Sequence, residues 1–193
     1  FLFTPVFDFG QAQETVTDIK SKAQSVGRSV EVLTFCTVVC RPTQKEAEDY
    51  LDWYANENAD WDAVDNLMTL QGMHAQSFTK EALAMFRDRF AAGHGGFPLV
   101  GTPDHIAGQL EQLSATGVAG TTLSFVDYAK EFPYFRQQGL PRLAAKSLRQ
   151  PLCKRYFTSN TAQQTFFWLG SVPSRSVKTM RYWSRWSPHR STP

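Results

Sequence analysis

The sequence predicts an α/β fold built on parallel strands, and three observations carry the prediction. Apolar, strand-like runs alternate along the chain with segments of helical periodicity. The run over residues 30–40 is nearly continuous in Val, Phe, Cys and Thr, as in a strand covered on both faces. Helix-start residues recur at Thr43, Thr79 and Thr102, each just ahead of a segment with apolar residues at helical spacing. Strands joined by helices are expected to run parallel with right-handed crossovers. A doubly wound sheet and part of a (β/α)8 barrel both satisfy this pattern, and periodicity does not choose between them.

Taken in order, residues 1–7 read as the end of a buried strand broken at Pro5. Residues 10–26 read as a helix, with Ala12, Val16, Ile19, Ala23 and Val26 on one face and Gly27 as its stop. The strand over 30–40 follows. Thr43 and Glu46 then form a capping box that opens a helix through Ala47, Leu51 and Tyr54. Residues 56–70 continue helically after a break, and residues 79–92 form another helix capped by Thr79. The Gly/Pro stretch 94–98 is a loop, and Leu99 and Val100 make a brief strand. Thr102 caps the next helix, with Pro103 at its first position and Asp104 in its first turn. Ile106, Leu110 and Leu113 share a face there, and Gly117 ends it. Residues 120–126 read as a strand. Residues 127–143 read as a helix interrupted by Pro133.

Composition narrows the class. The chain has 193 residues, 42% hydrophobic and 20% charged, which is globular material rather than a disordered chain. It holds no run of about 18 apolar residues, so no membrane-spanning helix is expected. The net charge of +2 hides a division. Residues 1–149 carry 13 basic and 18 acidic side chains, and residues 150–193 carry seven basic and no acidic ones. An acidic body therefore joins a basic tail that also holds Trp168, Trp183 and Trp186. Cys36 and Cys40 lie on one strand, with Cα atoms about 13 Å apart, too far for a disulfide. Buried thiols in a reducing compartment are expected. The opening Phe1, Leu2 and Phe3 resemble a strand entered partway rather than a signal peptide, so a segment of a longer protein is expected.

In either α/β architecture, chemistry sits at the carboxyl ends of the strands. That shortlists Thr4 and Pro5, Cys40 and Arg41, residues 94–97, and Ser124, Phe125 and Asp127. His94 in its glycine-rich loop is either a general acid or base, a flavin or substrate contact, or a solvent-exposed loop residue. Gly95 and Gly96 match no phosphate-loop pattern and suit a hinge. Asp127 either orients a base or caps the last helix. Phe125 and Tyr128 either line a pocket for a planar ligand or pack in the core. His74 and His105 have no second ligand at metal spacing, so no metal site is expected. The acidic cluster Glu46, Glu48, Asp49, Asp52, Glu57, Asp60, Asp62 and Asp65 reads as a solvated helix face.

Beyond this point a resemblance carries the reading. Leu99-Val100-Gly101-Thr102-Pro103-Asp104, the helix to Gly117, the strand ending Leu123-Ser124-Phe125 with Asp127-Tyr128, and Leu140-Pro141-Arg142-Leu143 together resemble the C-terminal region of the luciferase-like flavin-dependent monooxygenases. Phe3-Thr4-Pro5 and Thr43 with Glu46-Ala47 are similar too. The alkanesulfonate, dimethyl sulfone and pyrimidine oxygenase branches look nearest. The resemblance implies that residues 1–149 are the C-terminal half of a (β/α)8 TIM-type barrel, incomplete, about the last four β/α units, with an insertion before the seventh strand. It implies reduced FMN delivered by a separate flavin reductase, and transfer of one oxygen atom from O2 to a small organosulfur or heterocyclic substrate. It further implies a cytoplasmic parent that forms homo-oligomers. The family's flavin-phosphate loop would lie upstream of Phe1, and no catalytic residue carries over. His94, Gly95 and Gly96 would belong to a lid, and Ser124 and Phe125 would line the pocket. The isolated chain is expected to be inactive. The alternatives are an F420-dependent oxidoreductase on the same barrel and a non-catalytic module whose basic tail binds nucleic acid.

Residues 150–193 match nothing in the family, and an unstructured tail is expected there. A basic aromatic segment of this kind binds single-stranded nucleic acid, lies on an anionic surface, or is the product of a shifted reading frame. The complete lack of Asp and Glu favours the last. Neither nucleic acid nor membrane is expected as a partner.

Overall fold

The structure is a computed structural model of the chain, and it describes residues 1–73 and 78–149. His74 and the basic tail lie outside the described residues. The elements in chain order are β1 (Leu2–Phe3), α1 (Phe9–Ser25), β2 (Val32–Cys40), α2 (Gln44–Asp52), a π-helical turn (Trp53–Glu57), α3 (Trp61–Leu70), α4 (Lys80–Gly93), β3 (Phe97–Gly101), α5 (Pro103–Ala115), β4 (Gly120–Ser124) and α6 (Tyr128–Ala145).

Local chemistry sets the helix starts. The Thr43 hydroxyl accepts from the Glu46 amide, and the Glu46 carboxylate accepts from the Thr43 amide, which completes the expected capping box. Thr79 and Thr102 cap α4 and α5, and Pro103 stands at the start of α5. Asp8 and Asp60 cap α1 and α3. Gly27, at φ 70°, follows the end of α1 in the left-handed conformation that favours glycine.

All strand pairings are parallel, as expected. Their order is not the chain order. Leu33 is in register with both Phe3 and Gly120, and Cys36 with both Phe97 and Leu123. A strand has two edges, so β4 occupies one edge of β2, while β1 and β3 share the other. The lower part of that shared edge pairs with β1 and the upper part with β3. β3 therefore extends the β1 side of the sheet instead of separating β2 from β4.

Side chains alternate across the sheet. Val32, Cys36, Val38 and Cys40 face outward into the main core. There they meet Ala12 and Val16 of α1, Ile106, Leu110 and Leu113 of α5, and Phe135, Leu140 and Leu143 of α6. Full burial of such a side chain contributes about 1.5–3 kcal/mol, so this layer dominates stability. Leu33, Phe35, Thr37 and Val39 point to the opposite, inner face. Pro98, Val100, Thr122 and Ser124 share that face through their registers. A second, smaller core joins α3 to α4 through Val64, Met68, Phe86 and Phe90, with Phe7 packed edge-on against Phe86 at 5.1 Å.

The structure corrects several expected boundaries. β1 is short and its residues are exposed, with Leu2 at 42% and Phe3 at 54%, because no neighbouring strand in the described chain covers its outer edge. β3 runs five residues rather than two. β4 ends at Ser124, two residues early, because Asp127 turns the chain into α6. α6 passes through Pro133 and Pro141 without a break, losing only the amide donors that proline lacks. Val26 is exposed, since α1 has already left the sheet at its last turn.

Candidate functional site

β2 and β4 end side by side, and their inner face holds the residues nearest to a site. Ser124 is in register with Thr37, and Thr122 with Phe35. The Ser124 hydroxyl donates to the Cys36 carbonyl at 3.1 Å and lies 3.4 Å from Thr37 Oγ1. Thr37 in turn donates to the Gly93 carbonyl at 3.0 Å. A short chain of hydroxyls thus ties the end of α4 to the strands.

The glycines explain how α4 comes so close. A Cβ on Gly93 would stand 2.3 Å from Thr37 Oγ1, and one on Gly96 would stand 2.7 Å from it. No side chain fits in either place. His94, between them in sequence, is in the left-handed conformation at φ 55° and caps α4. Its exposed ring lies against Phe90 at 5.5 Å, with Nε2 3.4 Å from Gln71 Nε2. Of the three residues expected in a lid, Gly96 is packed against β2 and His94 faces solvent.

The other candidates separate. Phe125 is buried and sits on the helix side, ringed by Tyr128, Phe132 and Phe135 at 5.5–5.8 Å. Its role is packing under α6, and only its partner Tyr128 is exposed. Asp127 caps α6, accepting from the Ala129 and Lys130 amides. The Lys130 ammonium and these amides hold its carboxyl below the usual carboxylate range. All eight residues of the acidic cluster are exposed, the solvated helix face expected of them. Cys36 and Cys40 are free and buried. Burial pushes the Cys36 thiol up to about 12 and the Cys40 thiol up to about 11, so neither is a ready nucleophile.

At the same carboxyl ends lies a group that sequence spacing did not reveal. Glu131, in the first turn of α6, is 7% exposed. Arg41, just past β2, donates to its Oε1 at 2.7 Å. The Val126 and Asp127 amides point at its Oε2, at 3.1 and 3.4 Å. The Arg41 guanidinium stacks 4.0 Å above the Tyr50 ring, which stacks in turn on exposed Trp53 at 5.9 Å. Burial, and then the Glu131 carboxylate, raise the Tyr50 phenol above its ordinary value. Burial likewise raises Tyr54, whose hydroxyl donates to the Ala92 carbonyl at 2.8 Å. Arg41 was legible as a strand-end residue. Its partner, 90 positions away, carried no signal beyond an acidic residue near a helix start. One carboxylate therefore clamps the end of β2 to the turn between β4 and α6.

A second arginine fastens the other edge. Arg89 of α4 donates to the Val6 and Phe7 carbonyls at 2.7 and 2.6 Å, holding the segment after β1.

Comparison with known proteins fits this architecture. The family model described as luciferase-like monooxygenase matches residues 1–120. The FMNH2-dependent dimethylsulfone monooxygenase of Pseudomonas fluorescens (strain Pf0-1) is 31% identical over 136 residues, 65% of this chain and 36% of that protein. The sulfoquinovose monooxygenase of Novosphingobium aromaticivorans is 28% identical over 148 residues, 69% of this chain and 41% of that protein. The chain thus spans about two fifths of the length of the curated relatives it matches. The structure of DmoA from Hyphomicrobium sulfonivorans superposes with a TM-score of 0.64 at 20% identity, over 77% of this chain and 38% of that one. That of the long-chain alkane monooxygenase LadA superposes at 0.56 and 18% identity, over 77% and 37%. The sheet and its helices are part of the barrel these proteins share, and the chain belongs to the luciferase-like monooxygenase family.

Proposed function

We propose that this chain supplies the C-terminal part of a reduced-FMN-dependent monooxygenase barrel acting on a small organosulfur or heterocyclic compound. Membership of the family supports the chemistry. The observation that carries the placement is the asymmetry of the sheet: helices seal its outer face, while Phe35, Thr122 and Ser124 on the inner face stay partly exposed. Residues 1–149 are the family part, residues 150–193 are unrelated to it, and His94 to Gly96 form the rim of the site.

The residues present fit one portion of the flavin. Phe35, Thr122 and Ser124 offer a mixed aromatic and hydroxyl surface suited to the isoalloxazine ring or to substrate. They do not fit the phosphate. The two half-buried arginines at the strand ends are engaged, Arg41 by Glu131 and Arg89 by the Val6 and Phe7 carbonyls. When bound, reduced FMN would supply the two electrons that activate O2, the source of the transferred oxygen atom. The chain's own residues set the shape of the pocket wall and exclude water from it. Delivery of reduced flavin calls for a reductase partner.

Flavin fluorescence titration tests this division. The chain alone should bind riboflavin and FMN with the same weak affinity, within about threefold, and should oxygenate no organosulfur compound when given a reductase and NADH. FMN binding in the micromolar range, tenfold or more tighter than riboflavin, would place a phosphate site in this chain and overturn the proposal.

A further inference from the structure

The end of α4 is held from two sides. The last carbonyls of a helix have no amide within the helix to accept from. In α4 the Gly93 carbonyl accepts from the Gly96 amide at 3.1 Å and from the Thr37 hydroxyl at 3.0 Å. The Ala92 carbonyl accepts from the Tyr54 hydroxyl at 2.8 Å. Thr37 belongs to β2. Tyr54 is partly buried and stands in the π-helical turn that follows α2, a kind of turn that recurs at functional sites.

Both supports lead back to the end of β4. Thr37 reaches it directly, with its Oγ1 3.4 Å from the Ser124 hydroxyl. Tyr54 reaches it by a longer path. Its ring centre lies 5.2 Å from that of Tyr50, and the Arg41 guanidinium stacks 4.0 Å over Tyr50. Arg41 donates to Glu131, which accepts from the Val126 and Asp127 amides in the turn just after β4. Residues 94–96 leave α4 at the point where the two supports meet. The His94 amide donates to the Phe90 carbonyl at 3.2 Å and the Gly95 amide to the Arg89 carbonyl at 3.0 Å. Where these residues stand therefore depends on the last turn of the helix.

We propose that Tyr54 is a positioning residue for the rim of the site. Its hydroxyl fixes the last turn of α4 through the Ala92 carbonyl, and the Arg41–Glu131 pair, stacked behind it through Tyr50, fixes Tyr54. The inference rests on the proposed reading of residues 94–96 as the rim. Tyr54 acts through Ala92 and touches no ligand itself. A tyrosine suits the role, because a rigid ring with two torsions loses little freedom when its hydroxyl is held. The flat guanidinium of Arg41 suits its own place, since it binds a carboxylate at its edge and covers an aromatic ring with its face.

Hydrogen exchange of the full chain, read by mass spectrometry on peptides, tests this. In Tyr54→Phe, which loses only the hydroxyl, the His94 and Gly95 amides should exchange about fivefold faster, the effect of one lost hydrogen bond. Amides of α5 should be unchanged. Arg41→Lys keeps a cation beside Glu131 but removes the flat group from Tyr50, and should speed the same two amides by about twofold. No change at His94 and Gly95 in Tyr54→Phe, or an equal change in α5, overturns the positioning role. Unchanged rim amides in Arg41→Lys overturn the path through Arg41. Excess riboflavin separates this inference from the reading beneath it. In the native chain it should slow exchange both at residues 94–96 and in β4. In Tyr54→Phe the protection of β4 should remain and that of residues 94–96 should fall, whereas a merely structural loss would lower both alike and overturn the proposal. If riboflavin protects β4 but never residues 94–96, the rim reading fails and the functional inference fails with it, although Tyr54 still holds α4.

Discussion

Glu131 illustrates how much rests on one side chain at the strand ends. It accepts from Arg41 and from two backbone amides while almost wholly buried. Removing one partner of such a pair strands the other, at a cost of about 3–5 kcal/mol. Glu131→Gln should therefore lower the stability measured by urea unfolding by about 3 kcal/mol, near that range's lower end because the amide keeps one acceptor. A double-mutant cycle with Arg41→Met should give a coupling of about 1–3 kcal/mol, and a coupling near zero would show that the contact contributes nothing. The thiols give a pH dependence of definite sign. Cys36 rises from 9.0 to about 12 on folding. Above pH 9 the unfolded chain loses this proton while the folded chain keeps it, so stability falls as pH rises toward 12. The slope is about 1.4 kcal/mol per pH unit for one thiol. Urea midpoints between pH 8 and pH 11 check this, and Cys36→Ala should flatten the decline. The Cys36 and Cys40 thiols should resist alkylation until the chain unfolds.

Single elements show where local signals suffice and where they do not. The capping threonines act within one turn, so Thr43→Ala and Thr102→Ala should each cost about 1 kcal/mol in unfolding experiments. β3 is different. Its sequence predicts a short strand, but its position depends on Gly93 and Gly96 lying against Thr37. Gly96→Ala would push a methyl to 2.7 Å from Thr37 Oγ1 and 3.1 Å from the Thr37 amide nitrogen. The strand must then move away from β2, with an expected loss of about 1–3 kcal/mol. If Gly96→Ala changes the urea midpoint by less than the cap variants do, the joint is looser than the structure indicates. The π-helical turn at Trp53–Glu57 was invisible in the sequence, where one helix ran through Tyr54 and the next began at Asn56 after a break.

The described chain is an arc of sheet in which the outer edges of β1, β3 and β4 have no strand partner among the described residues. Phe1, Leu2 and Phe3 are exposed on the β1 side. Open apolar edges pair with other chains, so the isolated protein should self-associate as its concentration rises. Sedimentation velocity should show this, and Leu2→Lys should shift the onset to higher concentration. A chain that stays monomeric at about 100 µM, well above the micromolar range in which exposed strand edges aggregate, would show that the edges are protected. No helix among the described residues is long and apolar enough to cross a membrane.

Sequence by itself determined what travels along the chain. The order of strands and helices, the caps at Thr43, Thr79 and Thr102, the parallel pairing, the free cysteines and the family resemblance all depend on residues close together. Hydrogen bonds within a turn and alternation along a strand decide them. Tertiary structure alone decided what depends on distant residues meeting. It put β4 rather than β3 across β2 from β1. It paired Arg41 with Glu131 and committed the Ser124 and Thr37 protons to backbone carbonyls. Such contacts are selected by the packing of a whole core, in which many side chains must fit at once. No local pattern records which surface of an element will be covered, or by what.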